Sequence, residues 1–327
     1  MNGGKINLYN LFFEQSLNFI RENGFLAFIT PNTYLTSPNT EILRSILLSK
    51  TSIYEITEYT EKQRVFEKAA QAVATIILTI RKIPKNEIVI TTSKQGKKLC
   101  LQEDLKNRKL LLWVSPLIIE IEKQKYRLKD FFEIFQGEVN LTIKKEYYSD
   151  KKYKNYLPMW RGDNVGKYYP QSKPKEWCNK IASNNHFTQR RIILQQVSNQ
   201  GQEFRTKAFI SDKDFICGNS TNYLISKNNE NLLLFLGIIN SKVFNFYFNY
   251  FSFTNHLTVK ELENIPIPEI NSKNKNLEDK IINLVDRIIE GKKSGIDMRE
   301  LEEEVDRLVY GLYELSEEEI KIIEGKD

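Results

Sequence analysis

The chain has 327 residues, of which 41% are hydrophobic and 28% charged, so it is too apolar to be a disordered protein and long enough for two domains. No apolar run reaches the roughly 20 residues that a membrane span requires, so we expect no membrane association. Two His and three scattered Cys fit neither an ordinary zinc site nor a disulfide framework. The sequence therefore predicts no bound metal and a reducing compartment, the cytoplasm.

Charge is distributed unevenly along the chain. Residues 271–327 contain 10 basic and 16 acidic residues, whereas residues 144–213 contain 15 basic and 6 acidic residues. A basic middle block favours a polyanionic partner, most often nucleic acid. A Lys-rich solvated surface would give the same counts, so composition alone leaves both interpretations open.

The first ninety residues alternate between helical and strand patterns. Apolar spacing predicts a helix over 7–22, a buried strand over 25–30 and a second helix from 38 onwards. Strands are predicted over 53–57, 73–80 and 88–92, and the last two could pair. This order predicts an α/β domain with a mostly parallel sheet that ends in a hairpin. Because no GxGxxG or GxxxxGK[ST] turn occurs in the sequence, we expect only the second half of a Rossmann-like sheet.

The remaining sequence predicts three further regions after a sheet domain at 1–94. Charge runs around one apolar segment predict a linker over 95–126, and short mixed elements predict an α+β domain over 127–270. The aromatic-rich run 240–253 is expected to form a helix that packs in the core of that domain. Two amphipathic helices are predicted over 271–327, and their acidity argues against contact with DNA.

Short motifs occur in a characteristic order along nearly the whole chain. They are NLY at 7–9, GFLAFITP at 24–31, VFE at 65–67, WRGDN at 160–164, RRIILQQ at 190–196, LGIINS at 236–241 and IPIP at 265–268. In order and spacing they resemble the back half of γ-class adenine-specific DNA methyltransferases. That family includes single-chain Type IIG restriction–modification enzymes with a TaqI-like C-terminal target recognition domain.

The resemblance implies a DNA-binding protein that takes part in N6-adenine methylation. It implies S-adenosyl-L-methionine as the methyl donor, double-stranded DNA as the partner, and a flipped adenine against which Phe66 stacks. The alternative for Phe66 is that it packs beneath its loop. The family's Asn-Pro-Pro-Tyr and Gly-rich cofactor motifs do not occur in this sequence. We therefore expect no catalytic residue in this chain and no methylation by the chain alone.

Candidate DNA contacts lie in the basic block, where cationic and aromatic residues are interleaved. Arg can bridge guanine and Asn or Gln can read adenine, which predicts base contacts by Arg161, Asn164, Arg190, Arg191, Gln195 and Gln196. Lys mainly binds phosphates, which predicts contacts to the sugar–phosphate backbone of DNA by Lys144, Lys145, Lys167 and Lys207. Arg161 is the strongest candidate because the following Gly162 allows a close backbone approach. For any single Lys, the alternative is a solvated surface.

Three interpretations of the whole chain remain open. It could supply the target recognition domain and part of the methyltransferase fold, with the front half on a missing segment or a separate chain. It could instead be a non-enzymatic specificity subunit that docks onto a separate modification subunit. A degenerate copy is the third interpretation, and poor folding of the isolated chain would support it.

Overall fold

The computed structural model describes residues 7–60, 63, 65–67, 71–93, 95–108, 110–140, 145–199, 202–252 and 255–326. The chain forms two compact units, Met1–Ser115 and Pro116–Asp327. The predicted linker over 95–126 is wrong, because its apolar residues belong to the cores of these units. Leu105 and Leu111 are buried in the first unit, whereas Leu117 and Ile121 are buried in the second.

The described part of the first unit is a five-stranded sheet with helices, which confirms the α/β class. Its elements are α1 (Leu8–Phe19), β1 (Phe25–Pro31), α2 (Glu41–Lys50), β2 (Ser52–Tyr59), β3 (Val73–Thr79), β4 (Glu87–Thr92), β5 (Gly96–Leu101) and α3 (Gln102–Arg108). Phe13 of α1 and Leu47 of α2 share a core with Ile76 of β3. One side of α1 and one side of α2 therefore pack on the sheet.

The strand order is β1-β3-β2-β4-β5. Strand β3 lies antiparallel between β1 and β2, so β1 and β2 are parallel to each other, and β2 pairs in parallel with β4. The expected mostly parallel sheet is wrong, because among the described strands of this sheet only β2 and β4 form a parallel pair. The predicted pairing of 88–92 with 73–80 is wrong too, since the terminal hairpin joins β4 to β5. Gly96 begins β5 with a φ of +66°, which glycine adopts at low cost.

The second unit is α+β. Its first elements are α4 (Pro116–Glu122), β6 (Tyr126–Arg127), α5 (Leu128–Phe131), β7 (Phe132–Gln136), β8 (Tyr148–Ser149), β9 (Tyr156–Trp160), β10 (Trp177–Asn179), β11 (Arg191–Gln195), β12 (Ala208–Ser211), β13 (Ile216–Cys217) and β14 (Thr221–Ser226). They are followed by α6 (Leu232–Ile239), α7 (Lys242–Phe251), α8 (Val259–Glu263), β15 (Pro266–Ile267), α9 (Lys275–Lys293), α10 (Arg299–Leu312) and α11 (Glu317–Glu324). Two of its sheets have the strand orders β12-β11-β14-β7 and β13-β9-β10-β8.

The carboxyl-terminal helices belong to the same core as the strands of the second unit. Phe244 and Phe248 of α7 are buried there, as expected for the aromatic-rich run. A Cβ atom at Gly237 of α6 would lie 2.7 Å from Ile281 of α9, so these helices pack closely. The two helices that the sequence predicts over 271–327 therefore pack on the core of the second unit, and α11 adds a third helix to them.

In the part of the chain that the structure describes, no single helix is both long and apolar enough to cross a membrane. The helices α6 and α7 satisfy that test only as a pair, bent by 55°. Their side chains include Leu236 and Phe244, which are buried in the protein core.

Candidate nucleic-acid interface

Arg161 lies directly after β9 and is held in place by two neighbours. Its Nη1 is 2.6 Å from Glu176 Oε2, and its Nε donates to Ser220 Oγ at 3.4 Å. The side chain of Arg161 is 36% exposed and that of Glu176 is 31% exposed, so solvent screens the pair. The guanidinium is therefore positioned but still accessible to a ligand. Neither Glu176 nor Ser220 is marked by the sequence pattern.

Gln195 and Gln196 lie beside Arg161. A Cβ atom at Gly162 would be 3.6 Å from Gln195 Cγ and 2.9 Å from the carbonyl oxygen of Ser220, and the Gln196 N–H donates to that same oxygen at 2.9 Å. Gly162 therefore accommodates Ser220 of its own chain, which corrects the expectation that it makes room for a ligand. Arg161 and Gln195 are both partly exposed, and together they form the reading patch. Gln196 is also partly exposed, but its side-chain Nε2 lies 3.2 Å from His256 Nδ1.

Asn164 is structural, which corrects its prediction as a base reader. The residue is 6% exposed. Its Oδ1 accepts the Arg161 N–H at 2.8 Å, and its Nδ2 donates to Ser172 Oγ at 3.0 Å and to the Lys173 carbonyl at 3.2 Å. Because both ends of the amide are used to fold the turn after β9, neither end is available for a base edge.

Arg191 is also structural, and its prediction as a base reader is wrong. Its side chain and that of Glu138 are both 0% exposed, and Nη2 lies 3.0 Å from Glu138 Oε2. The same Nη2 donates to the Phe215 carbonyl at 2.6 Å, and the guanidinium lies 4.5 Å from the centre of the Tyr223 ring. Burial works to lower the pKa of Arg191, but interactions with Cys217 and Glu138 outweigh it and raise that pKa. The guanidinium therefore stays charged inside the protein.

Lys167 binds a carboxylate of its own chain instead of being free to hold a phosphate. Its Nζ is 2.9 Å from Glu302 Oε2 and 4.6 Å from the centre of the Phe204 ring, and the side chain is 19% exposed. Lys292 contacts the other oxygen of the same carboxylate at 2.6 Å. The acidic helix α10 therefore neutralises Lys167, which corrects its assignment as a phosphate holder.

The remaining residues that the sequence predicts to contact DNA either lie at the surface or are not described by the structure. Arg190 is 60% exposed and makes only a solvent-screened pair with Asp212, which is 79% exposed, at 3.3 Å. Lys207 is half-buried. Lys144 and the side chain of Lys145 lie outside the described residues. Arg190 and Lys207 thus remain candidates for contacts with a polyanion.

Phe66 lies in the first unit, in the segment between β2 and β3. Val73, the first residue of β3, pairs with Pro31 and Tyr59, the last residues of β1 and β2. The segment between β2 and β3 therefore lies at the edge of the sheet where the parallel strands β1 and β2 have their carboxyl ends. Ligands of open α/β sheets bind outside that edge. Phe66 is 46% exposed, so its ring is accessible rather than packed in the core. Its role in stacking on a base remains a prediction.

Polar residues at the same edge are committed to the fold. Asn32 Nδ2 donates to Glu58 Oε1 at 2.9 Å, and Glu58 Oε2 accepts from the Ser93 N–H and hydroxyl at 3.2 and 3.0 Å. Tyr34 is fully buried, and burial raises the pKa of its hydroxyl. The PNTY string at 31–34 therefore does not replace the Asn-Pro-Pro-Tyr motif of the methyltransferase family.

Two family models match the chain, one in each unit. Residues 1–66 match the Eco57I restriction-modification methylase family, and residues 143–267 match the TaqI-like C-terminal specificity domain. The Type II methyltransferase M.TthHB8I of Thermus thermophilus is 34% identical over 95 residues, which are 28% of this chain and 20% of that protein.

Solved structures share the fold at low sequence identity. The Type IIL restriction-modification enzyme MmeI, solved in complex with DNA, matches with a TM-score of 0.63 and 12% identity over 98% of this chain and 52% of that chain. A DrdV–DNA complex matches with a TM-score of 0.54 and 9% identity over 88% of this chain and 40% of that chain. The chain thus spans about half of MmeI, less of DrdV and one fifth of M.TthHB8I.

Proposed function

We propose that this chain, which joins an Eco57I-type restriction-modification methylase segment to a TaqI-like specificity domain, binds double-stranded DNA at a specific sequence and contributes to adenine-N6 methylation. The observation that carries the proposal is the occurrence of both family segments in order on one chain. The DNA-bound forms of MmeI and DrdV, which share the fold, support a duplex as the partner.

The reading patch has the chemistry that base recognition requires. Arg can donate two parallel hydrogen bonds to guanine, and Gln can pair with adenine, each good pair contributing about 1–3 kcal/mol of discrimination. Glu176 fixes the guanidinium of Arg161 through a 2.6 Å contact, so little side-chain freedom is lost on binding. Arg190 and Lys207 would add contacts to phosphates, which set the register but carry no sequence information.

The first unit would supply one face for an extruded adenine. A base taken out of the duplex loses its stacking, and an accessible aromatic ring such as Phe66 can offset that loss by stacking on the base, which contributes about 1–3 kcal/mol. S-adenosyl-L-methionine would donate the methyl group in such a reaction. The residues described at the carboxyl ends of β1 and β2 do not fit this cofactor, since Asn32 and Glu58 are bound to each other. The cofactor and the catalytic residues are therefore expected on other polypeptide.

Exposed apolar residues on the first unit indicate that further polypeptide packs against it. Leu8, Phe12 and Phe19 of α1 are 71%, 64% and 82% exposed, and Phe25 of the edge strand β1 is 64% exposed. An edge strand with apolar side chains favours pairing with a further strand. We propose that a segment carrying the Asn-Pro-Pro-Tyr motif continues the sheet at β1. If that segment is a separate chain, this protein acts as its specificity subunit.

Two measurements on the purified chain test the proposal. Duplexes selected from a random pool should be bound, and Arg161→Ala should weaken binding to them roughly 10-fold or more and relax selectivity at one position. Arg299→Ala is the charge-matched control, because Arg299 is 84% exposed on α10 and pairs with Asp297. The chain alone should transfer no labelled methyl group from S-adenosyl-L-methionine, and co-expression with a polypeptide carrying Asn-Pro-Pro-Tyr should restore transfer. Methylation by the chain alone, or equal effects of the two Arg substitutions, would contradict the proposal.

A further inference from the structure

Two loops of the second unit meet, and each of them exposes an apolar side chain. Tyr153 is 54% exposed and Ile181 is 78% exposed. The strands that carry these loops pair through Tyr156 and Asn179, and the Lys180 N–H donates to the Asn155 carbonyl at 3.1 Å. Residues 151–155 and 179–181 therefore lie next to each other at the surface, and this surface segment is here named the tip.

Local hydrogen bonds fix the backbone on both sides of Ile181. Asn179 Oδ1 accepts the Ile181 N–H at 3.2 Å, and the Ser183 N–H donates to the Lys180 carbonyl at 3.1 Å. The Ser183 hydroxyl also reaches Glu138 Oε1 at 3.4 Å, which connects the turn to the buried ion pair of Glu138. On this turn the Ile181 side chain is 78% exposed, so its apolar surface lies in water, a cost in free energy that burial against a ligand would recover.

The tip is strongly cationic. Lys151, Lys152, Lys154 and Lys180 are all exposed, and the first three form no ion pair with any residue that the structure describes. An apolar side chain surrounded by Lys does not match the centre of a typical protein interface, from which Lys is depleted. It matches a duplex, in which phosphates flank a stack of apolar bases.

We propose that the tip enters a groove of the duplex and that Ile181 inserts between neighbouring base pairs as an apolar wedge. The proposal rests on the DNA binding proposed above and adds to it a residue that contacts the base stack directly. Insertion of an aliphatic side chain unstacks one base step and kinks the helix, and the neighbouring Lys residues hold the flanking phosphates. Tyr153 would contact the sugar or base edge beside the wedge.

The test compares two single substitutions in the full chain on duplexes that the unsubstituted chain selects from a random pool. Ile181→Ser should weaken binding about tenfold, because the apolar burial is lost, while the slope of log affinity against log salt stays the same. Ile296→Ser is the matched control, since Ile296 is 57% exposed in the turn between α9 and the acidic helix α10, and it should bind like the unsubstituted chain. Energy transfer between dyes at the duplex ends should report a bend that Ile181→Ser reduces and Ile181→Met retains.

The possible failures can be told apart. If the unsubstituted chain binds no duplex, the proposed function fails and the wedge with it. If that chain binds and Ile181→Ser matches it in affinity and bend, the wedge alone is refuted. A loss of affinity accompanied by a smaller salt slope would also refute it, because the variant would then have lost phosphate contacts.

Discussion

The buried pair of Glu138 and Arg191 offers the sharpest prediction about how the specificity unit is held together. Replacing Glu138 with Gln keeps an oxygen that can accept the Cys217 N–H, now 2.9 Å from the carboxylate, but removes the charge that compensates Arg191. Both side chains of the pair are 0% exposed, so water cannot take the place of the lost partner. The substitution therefore isolates the effect of an uncompensated buried cation.

The expected loss in free energy of unfolding is about 3–5 kcal/mol, the usual cost of leaving one charge of a buried pair alone. Nε and Nη1 of Arg191 have no hydrogen-bond partner among the described residues, so the pair is incompletely satisfied. Removing the cation as well should therefore recover most of the loss, and the double variant Glu138→Gln with Arg191→Met should be more stable than Glu138→Gln alone.

Urea unfolding followed by tryptophan fluorescence measures the stability of the single and double variants. Trp160 reports on this region because it lies in the same hydrophobic cluster as Tyr223 and stacks on Phe215, with 4.7 Å between the ring centres. Asp212→Asn, which breaks the exposed pair with Arg190, is the control and should change stability by less than about 1 kcal/mol. If Glu138→Gln left stability unchanged and lowered DNA affinity instead, Arg191 would be a DNA contact and the structural assignment would be refuted.

Two further predictions concern packing and pH. Gly137→Ala should lower the free energy of unfolding, measured by urea unfolding, more than Gly291→Ala does. A Cβ atom at residue 137 would lie 2.0 Å from the backbone oxygen of Gly218, which cannot easily move, whereas a Cβ atom at residue 291 would meet only the flexible side chain of Met298. Equal losses would contradict this. Burial raises the pKa of Asp306, so its ionisation costs stability at neutral pH, and this cost disappears as pH falls below the unfolded value of about 4. Asp306→Asn should therefore raise the free energy of unfolding at pH 7, and its gain over the unsubstituted chain should shrink as the pH is lowered. A gain that does not change with pH would contradict the raised pKa of Asp306.

Local patterns predict the elements of the first unit up to β4, but they miss β5 and α3 and do not show how the strands pair. The strand predicted over 73–80 is present as β3, Val73–Thr79. Its β-branched residues fit a buried strand in either direction, and the antiparallel insertion of β3 between β1 and β2 depends on connections that no local window contains. Element types were therefore predictable from the sequence, whereas strand order was not.

Residue chemistry predicted which side chains are suitable for reading DNA, but not which are accessible. Arg190 and Arg191 are adjacent and chemically equivalent, yet one is 60% exposed and the other 0%. Glu138, which holds Arg191 inside, lies far away in the sequence, as does Glu302, which pairs with Lys167. Only the fold brings these carboxylates to their cations, so the structure reduces the predicted set to an exposed subset centred on Arg161.

Salt titration of DNA binding by the purified full chain tests the central claim most directly. If the specificity unit holds a duplex through several phosphates, log affinity for selected duplexes should fall linearly and steeply with log salt, and Arg190→Ala should reduce that slope by about one. Affinity that is independent of salt, or a chain that binds no duplex at low salt, would contradict the account.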